Sequence, residues 1–275
     1  MKIGIVGLGL IGASIAKALN NSGRYEIVGT DKNPDVVSKA LNDGVIKSAG
    51  GIEECDVVFC CLHPEDTVKY LLGNNFKPGA ILTDTCGVKR YVMNKVSKPL
   101  EERGYKFVGG HPMAGKEKSG YDNSDPDMFK GAHYILIKDA DTDPMALSEI
   151  SGLADDMGFK QITRSTAAEH DKEIAYTSQL AHVVSNAYVK NPMSTEQGFS
   201  AGSFEDMTRV AQLDNALWAE LFIENSDYLC DEIDFLIENM NKIKEVIKQK
   251  NGRQLRAVLK EGSDIREKIL EDRNK

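Results

Sequence analysis

The chain has 275 residues, of which 41% are hydrophobic and 28% charged, a composition typical of globular proteins. Its length is enough for one large domain or for two. A formal net charge of −8 argues against nucleic-acid binding, because no basic stripe stands out to neutralise phosphates. No apolar run approaches the roughly 20 residues that span a bilayer, so we expect no membrane segment.

The N-terminal apolar stretch is interrupted by glycines, so we expect it to belong to the fold rather than to a signal peptide. The five cysteines show no CxxC spacing, and Cys60 and Cys61 are adjacent in an apolar run that suits buried, reduced thiols. We therefore predict a cytoplasmic protein without a metal site.

Residues 1–165 alternate short β-rich runs with helical patterns such as Ile11–Asn20 and Pro34–Asp43. This alternation predicts an α/β domain with a doubly wound parallel sheet and helices on both faces. The stretch Lys116–Lys130 is rich in Gly, Asp, Asn and Ser and predicts a long loop. The predicted strands are Lys2–Val6, Glu26–Thr30, Val57–Leu62, Ala80–Asp84, Lys106–Gly109, His133–Ile137 and Phe159–Thr163.

After about residue 165 the β-rich runs disappear, which predicts an all-helical C-terminal domain over residues 166–275. The predicted helices are Ala167–Lys190, Phe204–Asn241, interrupted near Asp214, and Lys242–Glu271. An apolar stripe through Leu221, Leu229 and Ile237 is either core or the seam of a homodimer formed by the C-terminal helices.

The first candidate site is the sequence Gly7-Leu8-Gly9-Leu10-Ile11-Gly12, which follows a predicted strand and opens a predicted helix. In this context GxGxxG predicts a dinucleotide site on a Rossmann-type sheet. Gly7 permits the tight turn, Gly9 lets the backbone approach a pyrophosphate, and Gly12 lets the helix pack on the strand. The N–H groups around Leu10 and Ile11 then face the phosphates.

Asp31 ends the second predicted strand, about 20 residues beyond the glycines, where a carboxylate accepts hydrogen bonds from ribose hydroxyls. It would repel a 2′-phosphate, so the pattern favours NAD over NADP, although the adjacent Lys32 weakens that preference. The alternative is a glycine-rich turn in a domain that binds no nucleotide.

The second candidate site lies at the strand ends, where ligands of such sheets bind. Hydride transfer from an alcohol leaves a proton that a group titrating near neutrality must accept. His111 is the best candidate, because the Gly/Pro-rich segment around it predicts an exposed loop rather than a packed side chain. His63 is a weaker candidate, and together with Leu62 it is predicted to line the cofactor.

Two residues of the helical domain are predicted to contact substrate. His182 lies on a polar helix stripe with Ser178, which suits either the wall of a cleft or a solvent-facing surface. Arg209 suits a carboxylate ligand, with a salt bridge to Asp206 or Glu205 as the alternative.

These motifs resemble the prephenate/arogenate dehydrogenase family of tyrosine biosynthesis. The resemblance spans nearly the whole chain, and its most specific part is the His-Pro-Met-Ala-Gly sequence that begins at His111. The matching pieces are Gly7–Gly12 with Asp31, Thr83-Asp84 with Val88-Lys89, Gly110–Gly115, Glu117–Gly120, His170-Asp171, Ala181–Val183, and Asp206–Ala211 with Trp218.

The resemblance implies NAD-dependent oxidative decarboxylation of prephenate to 4-hydroxyphenylpyruvate and CO2, or of arogenate to tyrosine. It implies that His111 accepts the proton of the ring hydroxyl and that Arg209 holds a substrate carboxylate. It places His182 near the substrate side chain, and Glu117 and Lys118 at the pocket mouth.

The chain departs from the family near the histidine. Many members carry a serine that is thought to assist the catalytic histidine, whereas this chain has Gly87, preceded by Cys86. Both residues are predicted to lie at the substrate site. Many members also have a basic residue where Glu205 stands, which puts the geometry around Arg209 in question.

Two other functions fit the same motifs. One is another two-domain NAD(P)-linked oxidoreductase, of the β-hydroxyacid dehydrogenase or pyrroline-carboxylate reductase type. Enzymes of the hydroxyacid type use a helix lysine as acid/base, and no comparable lysine competes with His111 here. The other is a non-catalytic NAD-sensing protein. Prephenate and arogenate present the same ring, so the sequence does not decide between them.

Overall fold

The computed structural model describes residues 1–116, 118–192 and 199–273. Its N-terminal part is a six-stranded parallel sheet in the order β3-β2-β1-β4-β5-β6. The strands are β1 (Lys2–Val6), β2 (Glu26–Thr30), β3 (Ser48–Ala49), β4 (Val57–Cys60), β5 (Ile81–Asp84) and β6 (Lys106–Val108). The associated helices are α1 (Leu10–Asn21), α2 (Pro34–Asn42), α3 (Pro64–Gly73), α4 (Arg90–Glu102) and α5 (Pro144–Asp156).

Both faces of this sheet are buried, as the near-continuous apolar strands require. In β4, Val57 and Phe59 belong to one hydrophobic cluster, whereas Val58 and Cys60 belong to the other. Successive side chains of a strand point to opposite faces, so each face has its own core. The predicted fold class, a Rossmann-type doubly wound sheet followed by a helical region, is confirmed.

A second, three-stranded sheet carries His111. It consists of β7 (Gly110–Pro112), β8 (His133–Ile137) and β9 (Gln161–Ser165), with β7 antiparallel and β9 parallel to β8. The prediction of an exposed loop at His111 is therefore wrong. The predicted strands His133–Ile137 and Phe159–Thr163 were expected in the parallel sheet, and this is wrong too, because they correspond to β8 and β9 of the second sheet. Glycine and proline have low β-propensity, so only pairing with the distant β8 makes a strand of these three residues.

The predicted loop after β7 is packed against the first helix. Lys17 of α1 donates from Nζ to Ser124 Oγ at 2.8 Å, and the Asp125 N–H donates to Ser14 Oγ at 2.9 Å. Tyr121, in the short 3₁₀ turn Tyr121–Asn123, donates from its hydroxyl to Asp43 at 3.0 Å. These contacts hold the described part of the loop beside the glycine turn.

The C-terminal region is helical, but its segments are shorter than predicted. The helices are α6 (Ala167–Ile174), α7 (Leu180–Tyr188), α8 (Gly202–Thr208), α9 (Asn215–Glu224), α10 (Ser226–Lys248) and α11 (Gly252–Arg273), with a π turn at Ala175–Gln179 and a 3₁₀ turn at Arg209–Ala211.

The predicted interruption near Asp214 is correct, because its carboxylate caps α9 by accepting from the Ala216 and Leu217 N–H groups at 3.1 Å. The predicted helix start at Lys242 is wrong. The helix continues to Lys248, and the break follows at Lys250, whose φ of 52° cannot continue a right-handed helix.

The chain divides into two compact units, Met1–Ser226 and Asp227–Lys275. The functional boundary near residue 165 stays a prediction. Among the described residues, none of the helices combines the length and hydrophobicity that crossing a membrane requires.

Candidate active site

A cleft of about 740 Å³ opens at the carboxyl ends of the sheet strands. One wall is formed by the glycine turn and the segments that follow β4 and β5. The other comes from β7 and its loop, from helices α6, α7 and α9, and from the turns at Ala175–Gln179 and Arg209–Ala211. The cleft brings together ten of the predicted site residues, namely Gly9, Leu10, Ile11, Leu62, His63, Cys86, Gly87, His111, His182 and Arg209.

The glycine turn has the geometry that its sequence predicts. Gly7 has a φ of +88°, a conformation that side chains disfavour. A Cβ at Gly12 would lie 1.9 Å from the Gly7 carbonyl oxygen, so the helix approaches the turn more closely than any side chain permits. A Cβ at Gly9 would meet nothing within 4 Å, and this residue faces the cleft with Leu10 and Ile11.

The start of α1 suits an anionic ligand. The N-cap residue is Gly9, which has no side chain that could bind the first N–H groups of the helix, and the first turn contains no acidic side chain. Backbone N–H groups and the helix dipole therefore meet the cleft without an acidic side chain in the helix's own first turn to neutralise them.

Asp31 lies just beyond β2, beside this turn. Its Oδ2 accepts the Leu8 N–H at 2.7 Å and its Oδ1 accepts the Asn33 N–H at 2.8 Å. Each carboxylate oxygen has a further lone pair for a ribose hydroxyl. Leu62 and His63 line the cleft on the β4 side, with His63 Nδ1 3.9 Å from a carboxylate oxygen of Glu220. The residues present thus fit a dinucleotide.

His111 faces the cleft from β7. Its Nδ1 lies 2.8 Å from Nε2 of His170. Its Nε2 is beside Gly87, where an added Cβ would lie 3.9 Å from that nitrogen. Burial lowers the pKa of His111 well below its usual value, and the nearby His170 and Lys89 lower it further. The imidazole is therefore neutral at neutral pH, the state that a general base needs.

Asp171 completes a chain of three side chains that begins at His111. His170 Nδ1 lies 2.7 Å from Asp171 Oδ1. The carboxylate also accepts the backbone N–H groups of Lys89 at 2.7 Å and Arg90 at 2.8 Å. Burial alone would raise the pKa of Asp171, but its hydrogen bonds outweigh burial and lower it. Asp171 is thus an ionised, fully enclosed acceptor.

A buried ion pair ties β7 to the end of β5. Lys89 Nζ, which has no exposed surface, donates to Asp84 and to the Gly110 carbonyl oxygen, the latter at 2.6 Å. Asp84 Oδ1 accepts the Gly110 N–H at 3.1 Å. Both polar groups of the residue before His111 are therefore bound by one pair of side chains, which restricts where the imidazole lies.

His182 and Arg209 form the opposite side of the cleft. The His182 ring stacks on Trp218 with ring centroids 3.8 Å apart, and its Nδ1 lies 2.9 Å from the Ser178 carbonyl oxygen. Burial lowers the pKa of His182, so this ring too is neutral near pH 7. Arg209 enters the cleft from the 3₁₀ turn after α8.

Comparison with known proteins agrees with this architecture. A family model described as the nucleotide-binding domain of prephenate dehydrogenase matches residues 15–163, and one described as its dimerization domain matches residues 166–261. The chain belongs to the prephenate dehydrogenase family. Prephenate dehydrogenase of Bacillus subtilis (strain 168) is 30% identical over an alignment of 279 residues with its gaps. The alignment covers 96% of this chain and 74% of that protein.

Two solved structures are similar over nearly their whole length. Prephenate dehydrogenase of A. aeolicus, in complex with hydroxyphenyl propionate and NAD+, has a TM-score of 0.87 and 29% identity, and 98% of each chain is covered. Synechocystis arogenate dehydrogenase has a TM-score of 0.82 and 27% identity, with 98% of this chain and all of that chain covered.

The remaining predicted substrate residues are placed unevenly. Cys86 lines the cleft, but its thiol is buried 3.5 Å from Thr67 Oγ1. Lys118 is exposed and lies outside the lining, whereas Lys116 of the same loop lines the cleft. Glu117 lies outside the described residues. The part of the chain that is described holds no cluster of three or more His, Cys, Asp or Glu side chains suited to a metal ion.

Sequence reasoning assigned no role to His170, Asp171, Asp84 or Lys89, although the resemblance included all four. The available signal was a histidine next to an aspartate at the start of a predicted helix, preceded by the capping pair Thr166 and Glu169. Nothing in that signal points to His111, which lies 59 residues earlier.

Proposed function

We propose that this chain catalyses the NAD-dependent oxidative decarboxylation of prephenate to 4-hydroxyphenylpyruvate and CO2. The observation that carries the proposal is a neutral, partly buried imidazole at His111 in one cleft with the glycine turn and Arg209. The family membership and the A. aeolicus complex with NAD+ support the same reaction.

Gly7, Gly9 and Gly12 would hold the pyrophosphate of NAD at the start of α1, and Asp31 would hold the adenine ribose. Leu62 and His63 would line the nicotinamide side. When bound, NAD supplies a hydride acceptor for the ring carbon that bears the hydroxyl.

His111 would act on the same carbon's hydroxyl group. Its Nε2 would accept the hydroxyl proton as the oxygen becomes a carbonyl. The ring carboxylate then leaves as CO2, and the electron pair of the broken C–C bond completes the aromatic ring. A base with a lowered pKa remains unprotonated, and therefore able to act, at neutral pH.

Arg209 would bind a substrate carboxylate through its planar guanidinium group. His182 would line the pocket of the side chain, and Gly87 would leave room for the ring beside His111. Cys86 would support that wall from behind, while Glu117 and Lys118 would act at the pocket mouth.

Arogenate is the second candidate substrate, because the chain is also similar to Synechocystis arogenate dehydrogenase. The two substrates differ only in a keto or an amino group on the side chain, which would lie near His182. A comparison of kcat/KM for both substrates decides between them.

The test is incubation of the protein with NAD and prephenate while the absorbance of reduced cofactor is followed. We expect cofactor reduction and release of one CO2 per NADH formed. A β-hydroxyacid in place of prephenate serves as the control for the other oxidoreductase types. Failure to reduce NAD with either prephenate or arogenate would overturn the proposal.

We also propose a functional division into a cofactor domain, 1–165, and a helical domain, 166–275, which forms a homodimer. The description of the second matched model as a dimerization domain supports this assembly, and Phe235 and Met240 of α10 are each 61% exposed. Five free cysteines, four of them at least partly buried, support a cytoplasmic location, where thiols stay reduced. Light scattering of the purified protein measures the assembly.

A further inference from the structure

We propose that His170 and Asp171 are positioning residues that set the tautomer of His111 and so determine which of its nitrogens is the base. The inference rests on the proposed function for the identity of the reaction. It concerns two residues that lie behind His111, on α6, rather than in the substrate pocket itself.

The direction of the hydrogen bonds follows from Asp171. An ionised carboxylate has no proton to donate, and this one already accepts from the backbone N–H groups of Lys89 and Arg90. Nδ1 of His170 lies 2.7 Å from Asp171 Oδ1, so this nitrogen must carry a proton and donate a hydrogen bond to the carboxylate. The opposite tautomer would place a nitrogen lone pair against a carboxylate lone pair.

The same reasoning continues to the next ring. In a neutral His170 with Nδ1 protonated, Nε2 has only a lone pair, so it accepts. Nδ1 of His111 lies 2.8 Å from this Nε2 of His170, so Nδ1 must be the donor. A neutral His111 with a proton on Nδ1 has its free lone pair on Nε2, the nitrogen that lies beside Gly87 at the cleft.

Protonation of His170 would reverse this order, but its surroundings oppose protonation. Burial is the largest effect and lowers the pKa of His170. The hydrogen bond to Asp171 raises that pKa by less, and the ammonium of Lys89 lowers it further. The other charged groups packed nearby are the carboxylate of Asp84, which is paired with Lys89, and Arg90, which contacts Asp171. His170 therefore stays neutral near pH 7.

The arrangement has a consequence for the reaction. When Nε2 of His111 accepts a proton, the ring becomes a cation whose Nδ1–H bond to His170 is strengthened by charge. The negative charge of Asp171 lies one ring further away and stabilises that cation. The free imidazole in water prefers the tautomer with Nε2 protonated, which cannot act as a base from this side.

Two substitutions of His170 test the inference. His170→Phe keeps a flat ring but removes the acceptor, and His170→Gln places an amide oxygen at about the reach of Nε2. Asp171 is left unchanged, because two backbone N–H groups depend on it. We expect kcat to fall about 100-fold or more in the Phe variant, with partial recovery in the Gln variant and KM within about twofold of wild type.

The second measurement is the tautomer itself, read from ¹⁵N chemical shifts of ring-labelled protein without NAD or substrate. The chain has only five histidines, and His111→Asn identifies the signals of His111. We expect a proton on Nδ1 of His111 in wild type and in His170→Gln, and a shift towards the Nε2-protonated form in His170→Phe.

NAD binding by each variant serves as the folding control. A wild-type His111 with Nε2 protonated would overturn the inference, as would a kcat for a folded His170→Phe variant within twofold of wild type. If the Phe variant does not fold, the tautomer of His111 in wild type and in the Gln variant still tests the inference. Since the tautomer is measured without substrate, it is independent of whether prephenate is oxidised.

Discussion

The glycine turn and the histidine pair line the same cleft, but they are built from very different lengths of chain. The turn is a single run from Gly7 to Gly12, completed by Asp31 from the neighbouring strand. The pair joins His111 of β7 to His170 of α6, and is supported from the end of β5. The first site is a local backbone conformation, whereas the second is an assembly.

This difference determines how each site responds to a change. A substitution in the turn acts through steric contact with its immediate neighbours. A substitution near the histidines acts through a network in which every buried polar group depends on its partners. The following predictions test this contrast, and they begin with the largest expected effect.

Replacement of the base should have the largest effect. In His111→Asn, we expect kcat to fall by about 10²- to 10⁴-fold, because the hydroxyl proton loses its acceptor, with little change in KM. Steady-state kinetics with saturating NAD measure both constants. An unaltered kcat would exclude His111 as the base.

Removal of the guanidinium on the opposite wall should affect binding rather than turnover. In Arg209→Ala, we expect KM for the substrate to rise about 10- to 100-fold, equivalent to about 1.5–3 kcal/mol for a charge-assisted contact. Arg209→Lys, which keeps the charge but loses the planar fork, is the matched control and should be intermediate. A KM that barely moves would favour a purely structural ion pair.

Two alanine substitutions separate fold from cofactor contact within the turn. Gly12→Ala places a Cβ against the Gly7 carbonyl and should lower the free energy of unfolding by about 1–3 kcal/mol. Gly9→Ala meets no protein atom within 4 Å, so we expect unchanged stability but about tenfold weaker NAD binding. Denaturant unfolding and NAD titration measure the two effects. Equal destabilisation by both variants would contradict a turn shaped for a ligand.

The buried histidines predict how stability depends on pH. Burial lowers the pKa of His111 and His170 below the usual 6.5 in the folded state, so below that pH the unfolded chain binds more protons. The free energy of unfolding should therefore fall between pH 7 and 5, by up to about 1.4 kcal/mol per pH unit for each histidine. Urea unfolding at several pH values measures the slope, and His111→Asn should reduce it. A slope that the variant leaves unchanged would show that His111 does not contribute.

Much of the fold could be predicted because its determinants are local. The strands Lys2–Val6, Glu26–Thr30 and His133–Ile137 have the predicted bounds, since their apolar runs are bounded by glycines and polar residues. The break at Asp214 was predictable for a similar reason, because an aspartate before a helix caps it. The end of α10 at Lys248 was not, because the residue that takes the positive φ there is Lys250 rather than the glycine that follows at position 252.

The sequence by itself determined the glycine turn, the alternation of strands and helices, and the choice of His111 as the candidate base. The turn and the alternation depend on backbone conformations or side-chain periods that a few neighbouring residues specify. His111 was chosen for its residue type and its place after a strand, although the loop predicted around it was wrong. Only the tertiary structure decided that Gly110–Pro112 is a strand, that His170 meets His111, and that Lys89 is buried against Asp84. The two histidines lie 59 residues apart, and Lys89 is held against Asp84 by a further bond to the Gly110 carbonyl 21 residues away. Packing and hydrogen bonding across such separations select one partner from many that the local sequence allows.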